Sequence, residues 1–394
     1  MSEPVVLDEV KLEELERDPY PSYAEWRRDA PVAYLPLMNG WMITRWDDCE
    51  FVGKDESRID TENEFNDKYF GRSITTMKGE PHRFLREAVD TPLRPRSVKR
   101  YIETLARPVA RRYVQRIASL GEIDATTDLL ELMSVRVIGE VLGLGDRDDE
   151  TLQRWFHNLS LGLANLAGDP ETQQIADTTV KEIDSHIADA IERLTAHPDE
   201  TGLSHLIHTS TPDGRPRTFD ELIGTIRVII MGGFQEPGHG TAASLLGLLQ
   251  TPEYARAVRE APSLIPASVH EGLRWIAPFA LSQRRAAVDI TLHDAVIPAG
   301  DEINLVIGSA NRDERRYENP EKFDLFRERL PLASFGYGTH FCAGHFLARE
   351  FSKVTLEEMF IGLPGLRLDP EKEPVVSGFG MRAVNHLPVV WDAP

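Results

Sequence analysis

Apolar positions recur at helical spacing through most of the middle of the chain, from about Pro81 to Leu249. Val109, Tyr113, Val114 and Ile117 mark one such face, with Arg111, Arg112 and Arg116 between them. Thr127 to Leu144 repeats the pattern and meets the stop signals Gly143 and Gly145. The longest apolar face runs from Leu222 to Leu249, behind a capping box formed by Thr218 and Glu221. At ~1.5 Å per residue, a helix of that length crosses most of a domain. Leu264 to Trp275 and His345 to Phe360 predict two further helices. Strands are short: Val32 to Leu37 and Trp41 to Trp46 flank Asn39-Gly40, a two-residue hairpin signal. Val288 to Leu292, Val296-Ile297, Glu302 to Val306 and Leu387 to Trp391 follow later. The pattern predicts a mainly α fold with small, segregated β-sheets. No strand–helix–strand alternation supports a nicotinamide-binding unit.

Composition narrows the function classes. The 394 residues are 41% hydrophobic and 27% charged, enough for a sizeable core. No fixed-period repeat or low-complexity linker divides them, and the length allows two or three domains or one large one. Acids outnumber Lys plus Arg, giving a formal net charge of −20. That argues against nucleic acid and against anionic membrane surfaces. The two cysteines, Cys49 and Cys342, exclude a disulfide framework and favour a reducing compartment. Met1 to Val10 lacks the basic flank and apolar run of a signal peptide. Val228 to Met231, the most apolar run, is far short of the ~20 residues of a spanning helix. The expectation is a soluble, cytoplasmic monomer.

Phe335-Gly336-Tyr337-Gly338-Thr339-His340-Phe341-Cys342-Ala343-Gly344 is the most informative stretch. Its glycines permit a tight loop, and a helical pattern begins just after it. Cys342 then sits near a helix N-terminus, where partial positive charge and unpaired N–H groups favour a thiolate. A lone cysteine excludes an iron–sulfur cluster. A zinc site from His340, Cys342 and His345 lacks a fourth ligand, while a buried cysteine in a Gly-rich turn is the plain alternative. Cys49, between Asp48 and Glu50, reads as a packing residue.

The ten residues from Phe335 to Gly344 resemble the haem-binding loop of the cytochrome P-450 family, Phe-Gly-x-Gly-x-His-x-Cys-x-Gly. The resemblance implies that fold, with haem b between the long central helix and the cysteine loop, and makes Cys342 the axial thiolate of the iron. It places Phe335 beside the sulfur and His340 at a haem propionate. Three other signatures occur in order. Glu271 and Arg274, at i and i+3, share a helix face, and Arg327 matches the third member of the family's buried structural triad. His82 and Arg86 lie one helical turn apart, and two cations there suit two propionates. Arg284, fourteen residues before Pro298, matches a further propionate contact. The signatures span about 260 residues.

Gly232-Gly233-Phe234-Gln235-Glu236-Pro237-Gly238-His239-Gly240 interrupts the long helix. Each glycine costs about 1 kcal/mol of helix stability relative to Ala, and Pro237 deprives the Gly233 carbonyl of its helical partner. The glycines, Gly233 among them, read as a surface that admits a close cofactor. In the resembled family an acid–alcohol pair here manages protons for O–O cleavage. This chain has Gln235 in place of the acid and Glu236 in place of the alcohol. Glu236 becomes the titratable member and Gln235 orients it or a water. The departure also raises hydrogen peroxide as an oxidant in place of dioxygen and electrons.

The stretch is similar to a narrower bacterial subfamily that O-demethylates methoxyphenols, as are Leu7 to Tyr20 and Glu271 to Trp275. The implied activity converts a guaiacol- or syringol-type aryl ether to a catechol-type phenol and formaldehyde. The subfamily's pocket phenylalanines correspond to Phe70, Leu163 and Met381, and the last two replacements predict room for a second methoxy group. A hydroxylase or epoxidase of another natural product is the alternative within the family. A non-oxygenating haem-binding or sensor protein is the alternative outside it. With no flavin or iron–sulfur domain, electrons from NAD(P)H must come through a separate reductase or ferredoxin. Arg83, Arg86, Arg94, Arg96, Lys99, Arg100, Arg349 and Lys353 form the expected docking patch.

Overall fold

In the computed structural model the long apolar stretch is helical on both sides of residue 235, as Phe219–Phe234 and Glu236–Leu249. The structure describes residues 4–61, 70–165, 168–209, 211, 213–234 and 236–393. Every residue from Pro237 to Leu249 is buried, the signature of a helix at the centre of a core rather than on its surface. Ahead of the helix, the Glu221 carboxylate accepts hydrogen bonds from the Thr218 N–H (2.8 Å) and hydroxyl (3.1 Å). The central helix packs against Glu131–Leu142, Ile265–Trp275 and the final helix His345–Gly362.

Glycine explains how closely these helices approach. A Cβ on Gly233 would meet Ile138 at 3.0 Å, one on Gly238 the Leu130 carbonyl at 3.1 Å, and one on Gly240 Leu273 at 2.8 Å. Three of the four glycines in the interrupted stretch therefore make room for neighbouring helices. This corrects the expectation that they form an open face, Gly233 included. Gly232 is the one whose added Cβ would meet nothing nearer than Glu236, at 3.8 Å.

A five-stranded sheet flanks the helices. We number its strands β1 (Val32–Leu35), β2 (Gly40–Ile43), β3 (Ile59–Asp60), β4 (Leu281–Ala286) and β5 (Glu302–Val306). Their spatial order is β1-β2-β5-β4-β3, with β2 and β5 parallel and the other neighbours antiparallel. The first hairpin departs from the expected two-residue turn. Leu35 pairs with Gly40, and the connection is a 3-10 turn, Pro36–Met38, closed by left-handed Asn39. Gly40 belongs to the strand, where a side chain would collide with Asn304 at 2.8 Å. Trp46, expected as the end of a strand, starts helix Trp46–Lys54. Strand Pro388–Val390 joins Glu122–Asp124 to Arg367–Leu368, and Ile290–Leu292 pairs with Ala295–Ile297. No described helix is long and apolar enough to cross a membrane.

Candidate functional site

The Cys342 loop is built from two 3-10 turns, Ala333–Phe335 and Gly338–His340. Gly336 (φ 72°) and Gly338 (φ 65°) adopt the left-handed conformation that lets the loop reverse, and Gly338 also lies against the Gly53 carbonyl. The Cys342 N–H donates to the Phe335 carbonyl at 2.8 Å, which fixes the thiol between that turn and the final helix. Arg349 lies over the Phe335 ring at 4.4 Å. Burial pushes the Cys342 thiol up to about 11, Glu236 adds to the rise, and the Gly344 N–H opposes it. The helix N-terminus alone thus does not produce the thiolate expected from position; a cation at sulfur must supply the rest. Cys49 is fully buried and its thiol donates to the Ile43 carbonyl at 3.1 Å.

Glu236 begins the second half of the central helix, and desolvation pushes its carboxyl up to about 8. Gln235 lies outside the described residues. A Cβ on Gly344 would meet only the Cys342 sulfur, at 3.8 Å, as one on Gly232 would meet only Glu236. The two glycines leave open space beside the thiol and beside the carboxyl.

A group of cations gathers at the edge of the loop. His82, on helix Gly79–Asp90, stacks on His340 with ring centroids 4.4 Å apart, and its Nε2 is buried without a partner. Arg284 reaches in from β4, and among the described residues its guanidinium donates to the Ser282 hydroxyl and the Gln283 carbonyl, at 3.0 and 2.6 Å. Desolvation pushes it down to about 10. His340 is pushed down to about 3, first by burial and then by His82, Arg284, Arg86 and Lys78. Lys78, which sequence reasoning missed, has no motif around it and pairs with Asp60 at 2.7 Å. Arg86 is spent differently from the expectation. Its donors go to Asp90 (2.7 Å) and to the Thr339 and Phe341 carbonyls (3.0 and 2.6 Å), tying its helix to the loop.

Glu271 accepts from Arg274 at 2.7 and 2.8 Å and from Arg327 at 2.9 Å, and both Glu271 and Arg274 are buried. Arg274 also donates to the carbonyls of Asn311, Pro320 and Lys322, fastening the segment that leads into the Cys342 loop. Phe70 and Leu163 line one cavity of about 230 Å³, together with Leu159, Val180 and Arg227. Met381 is not among its lining residues; it pairs with Phe279 in an isolated bridge elsewhere. Of the expected docking cations, Arg94, Arg96 and Lys99 are exposed, and Arg83 and Arg100 are exposed in pairs with Glu80 and Glu200. Arg86 and Arg349 are half-buried and support the loop, and Lys353, also half-buried, pairs with Glu350.

The sequence matches the family model described as Cytochrome P-450 over residues 41–361. The chain belongs to the cytochrome P-450 family. It is 28% identical to 6-deoxyerythronolide B hydroxylase of Saccharopolyspora erythraea, over 95% of this chain and 96% of that protein. It is 30% identical to the C-19 steroid 1alpha-hydroxylase of Sorangium cellulosum, over 80% of each. The solved structure of P450BioI with an acyl carrier protein shares the fold at a TM-score of 0.88 and 24% identity, covering 96% of this chain and 100% of that one.

Membership in this P-450 family implies haem, dioxygen and electrons from a partner protein, and the residues present fit the cofactor. Among the described residues, a buried imidazole nitrogen without a partner, a desolvated guanidinium without a carboxylate, and a second imidazole near several cations call for anions, which the two haem carboxylates supply. The thiol faces open space at Gly344, where an iron atom would stabilise the thiolate that burial alone disfavours.

Proposed function

We propose that this P-450 mono-oxygenase oxidises a small apolar natural product within one domain spanning residues 1–394, with Cys342 as the iron ligand. In this reading His82, Arg284 and His340 hold the haem carboxylates, Arg86 sets the loop, and Glu236 moves protons. Bound there, haem supplies the activation of dioxygen. The observation that carries the reading is a desolvated thiol on a loop whose His340 stacks on His82 and lies near the desolvated Arg284 guanidinium. Hydroxylation is the chemistry supported by the relatives, which are named as a 6-deoxyerythronolide B hydroxylase and a C-19 steroid 1alpha-hydroxylase.

A second reading, O-demethylation of a guaiacol- or syringol-type methoxyphenol, is favoured by one specific feature. Glu236 and the surrounding Gly-Phe-Gln-Glu-Pro-Gly-His-Gly are similar to the methoxyphenol-demethylating subfamily. A panel of methoxyphenols, macrolactones and steroids, scored by haem spin-state shift and by formaldehyde yield, separates the two. Spin shifts with formaldehyde from methoxyphenols support demethylation; shifts and hydroxylated product from the other classes alone defeat it. No product from any class, with reductase or with peroxide, defeats the mono-oxygenase reading.

Desolvation pushes the Glu236 carboxyl up to about 8, which favours its protonated, proton-donating form at neutral pH. Its donor form is lost as pH rises through that value. Dioxygen-driven turnover should therefore fall above about pH 8 in the wild type, and Glu236→Gln should lose ~10²-fold in rate together with that pH limb. An unchanged limb in the variant would remove Glu236 from the reaction.

The exposed cations Arg94, Arg96 and Lys99, on the turn and helix after Asp90, suit an acidic ferredoxin or a flavin reductase. Arg96→Glu should slow reductase-driven turnover several-fold at low salt, with the difference fading as ionic strength rises. Stopped-flow reduction that shows equal rates for both proteins at low salt would exclude this face.

A further inference from the structure

Two buried hydroxyls join the central helix to the helix that follows the Cys342 loop. The Thr241 hydroxyl lies 2.6 Å from the Pro237 carbonyl and 2.9 Å from the Ser352 hydroxyl. Ser352 Oγ lies 3.0 Å from the Ala348 carbonyl and 3.4 Å from the Pro237 carbonyl. Thr241 is 0% exposed and Ser352 1%, so bulk water does not compete for these contacts. Each hydroxyl has one proton to give. Either Ser352 donates to Thr241 and Thr241 to Pro237, or Thr241 donates to Ser352 and Ser352 to the Ala348 carbonyl. The bond between the two helices persists in both arrangements. The same half-helix is fastened on another side, where Nε2 of His239 lies 3.0 Å from Oε1 of Glu131.

The pair sits where the helix lacks part of its own bracing. Pro237 has no N–H, so the turn that carries Glu236 is held to the first half of the helix by one bond fewer. The hydroxyls hold it from the other side. Thr241 stands one turn after Pro237 and grips its carbonyl. The proline ring fixes φ, which leaves few free torsions between that carbonyl and the Glu236 Cα. Ser352 stands on helix His345–Gly362, which begins three residues after Cys342. The Gly344 N–H reaches the Cys342 sulfur, and Glu236 is among the charges that act on that thiol. The hydroxyl bond therefore links the element that carries the carboxyl to the element that carries the sulfur.

We propose that the Thr241–Ser352 hydroxyl pair holds Glu236 at a fixed place relative to the Cys342 loop. The inference rests on the reading of Glu236 as the proton donor. Thr241 and Ser352 are positioning residues: Glu236 gives the proton, and the hydroxyls set where it stands. Placement matters at this scale, because a shift of about 1 Å at a reacting group can cost on the order of 10²-fold in rate. Ser352 is the informative member. It belongs to a different helix from Glu236, and its hydrogen bonds are to Thr241, Pro237 and Ala348. A change at Ser352 reaches Glu236 through Thr241 and the Pro237 carbonyl.

The test reads Glu236 itself, by infrared spectroscopy of the haem-loaded full chain at about pH 6. The protonated carboxyl gives a carbonyl band there, identified by its loss in Glu236→Gln. Ser352→Ala, which removes one oxygen and spares the packing, should shift that band. Thr241→Val should shift it too, Thr241→Ser should return it towards its wild-type position, and Ser352→Ala added to Thr241→Val should move it no further. A band unmoved in Ser352→Ala, or moved again in the double variant, overturns the proposal. Turnover supplies a second measurement, with the compound of the methoxyphenol, macrolactone and steroid panel that yields most product. In Ser352→Ala, kcat should fall about tenfold with KM within twofold, less than the ~10²-fold expected when Glu236 itself is replaced. An unchanged kcat, or a loss confined to KM, counts against the pair. Wild-type protein that forms no product from any of these compounds defeats the reading of Glu236 as proton donor instead, and the infrared comparison still decides whether the hydroxyls hold it.

Discussion

Glu271→Ala should destabilise the protein by about 3–5 kcal/mol, the cost of stripping a buried charge of its partner. The variant leaves Arg274 and Arg327 facing each other's charge in the place where one carboxylate now serves both. Arg274 keeps its three backbone carbonyls but loses its two charge-assisted bonds, and it is too deeply buried for water to replace them. Urea unfolding should show the midpoint falling with the slope unchanged. Glu271→Gln, which retains a carbonyl acceptor, should lose less. A drop below about 1 kcal/mol for Glu271→Ala would place the pair among ordinary surface bridges, contrary to its burial. Activity should fall in step with the folded fraction, because among the described residues the hydrogen bonds of Glu271 are to Arg274, Arg327 and the Asp324 N–H and not to Cys342, Glu236 or the cation group.

The second large effect concerns Cys342 itself. Cys342→Ala should reduce oxygenation on the order of 10³-fold or more, as removal of a residue on which the whole reaction depends does elsewhere. Haem binding and catalysis should separate in this variant. His82, Arg284 and His340 remain in place, so the protein should still take up haem, more weakly, with an absorption spectrum altered by loss of the sulfur ligand. The complementary change, Arg284→Ala, removes the desolvated guanidinium and should lower haem retention while leaving the sulfur-dependent spectrum of the bound fraction unchanged. Haem content per chain and the spectrum, measured side by side, check both expectations. Full activity in Cys342→Ala would overturn the assignment of the ligand.

What could be read from the sequence depended on whether the chemistry was local. The Cys342 loop was legible because its glycines, histidine and cysteine are contiguous, and left-handed backbone at Gly336 and Gly338 explains why glycine stands there. Glu271 and Arg274 were legible because i and i+3 share a helical face. β4 was not read as a strand: Leu-Ser-Gln-Arg-Arg-Ala carries two adjacent arginines and no apolar alternation. Its role is visible only once Arg284 is seen among His82, His340 and Lys78. The Asn-Gly signal gave the hairpin its place but not its turn, because close packing of Gly40 on Asn304 takes the glycine into the strand. The glycines of the central helix were assigned to a cofactor when most of them admit neighbouring helices, a distinction that requires knowing what lies opposite. Glu131 and His239 are 108 positions apart, and a partnership at that separation leaves no local pattern.

The cavity at Phe70 and Leu163 has a bearing on how this enzyme could diversify. Leu159 and Leu163 stand on helix Asp149–Ala164 and Val180 on helix Pro170–Ala196, whereas the thiol, the cation group and Glu236 stand on other elements. On the reading that this cavity receives the substrate, inherited changes in that wall alter which molecules are admitted while the oxidising centre stays as it is. A lineage can try new diets one side chain at a time without relearning how to handle oxygen.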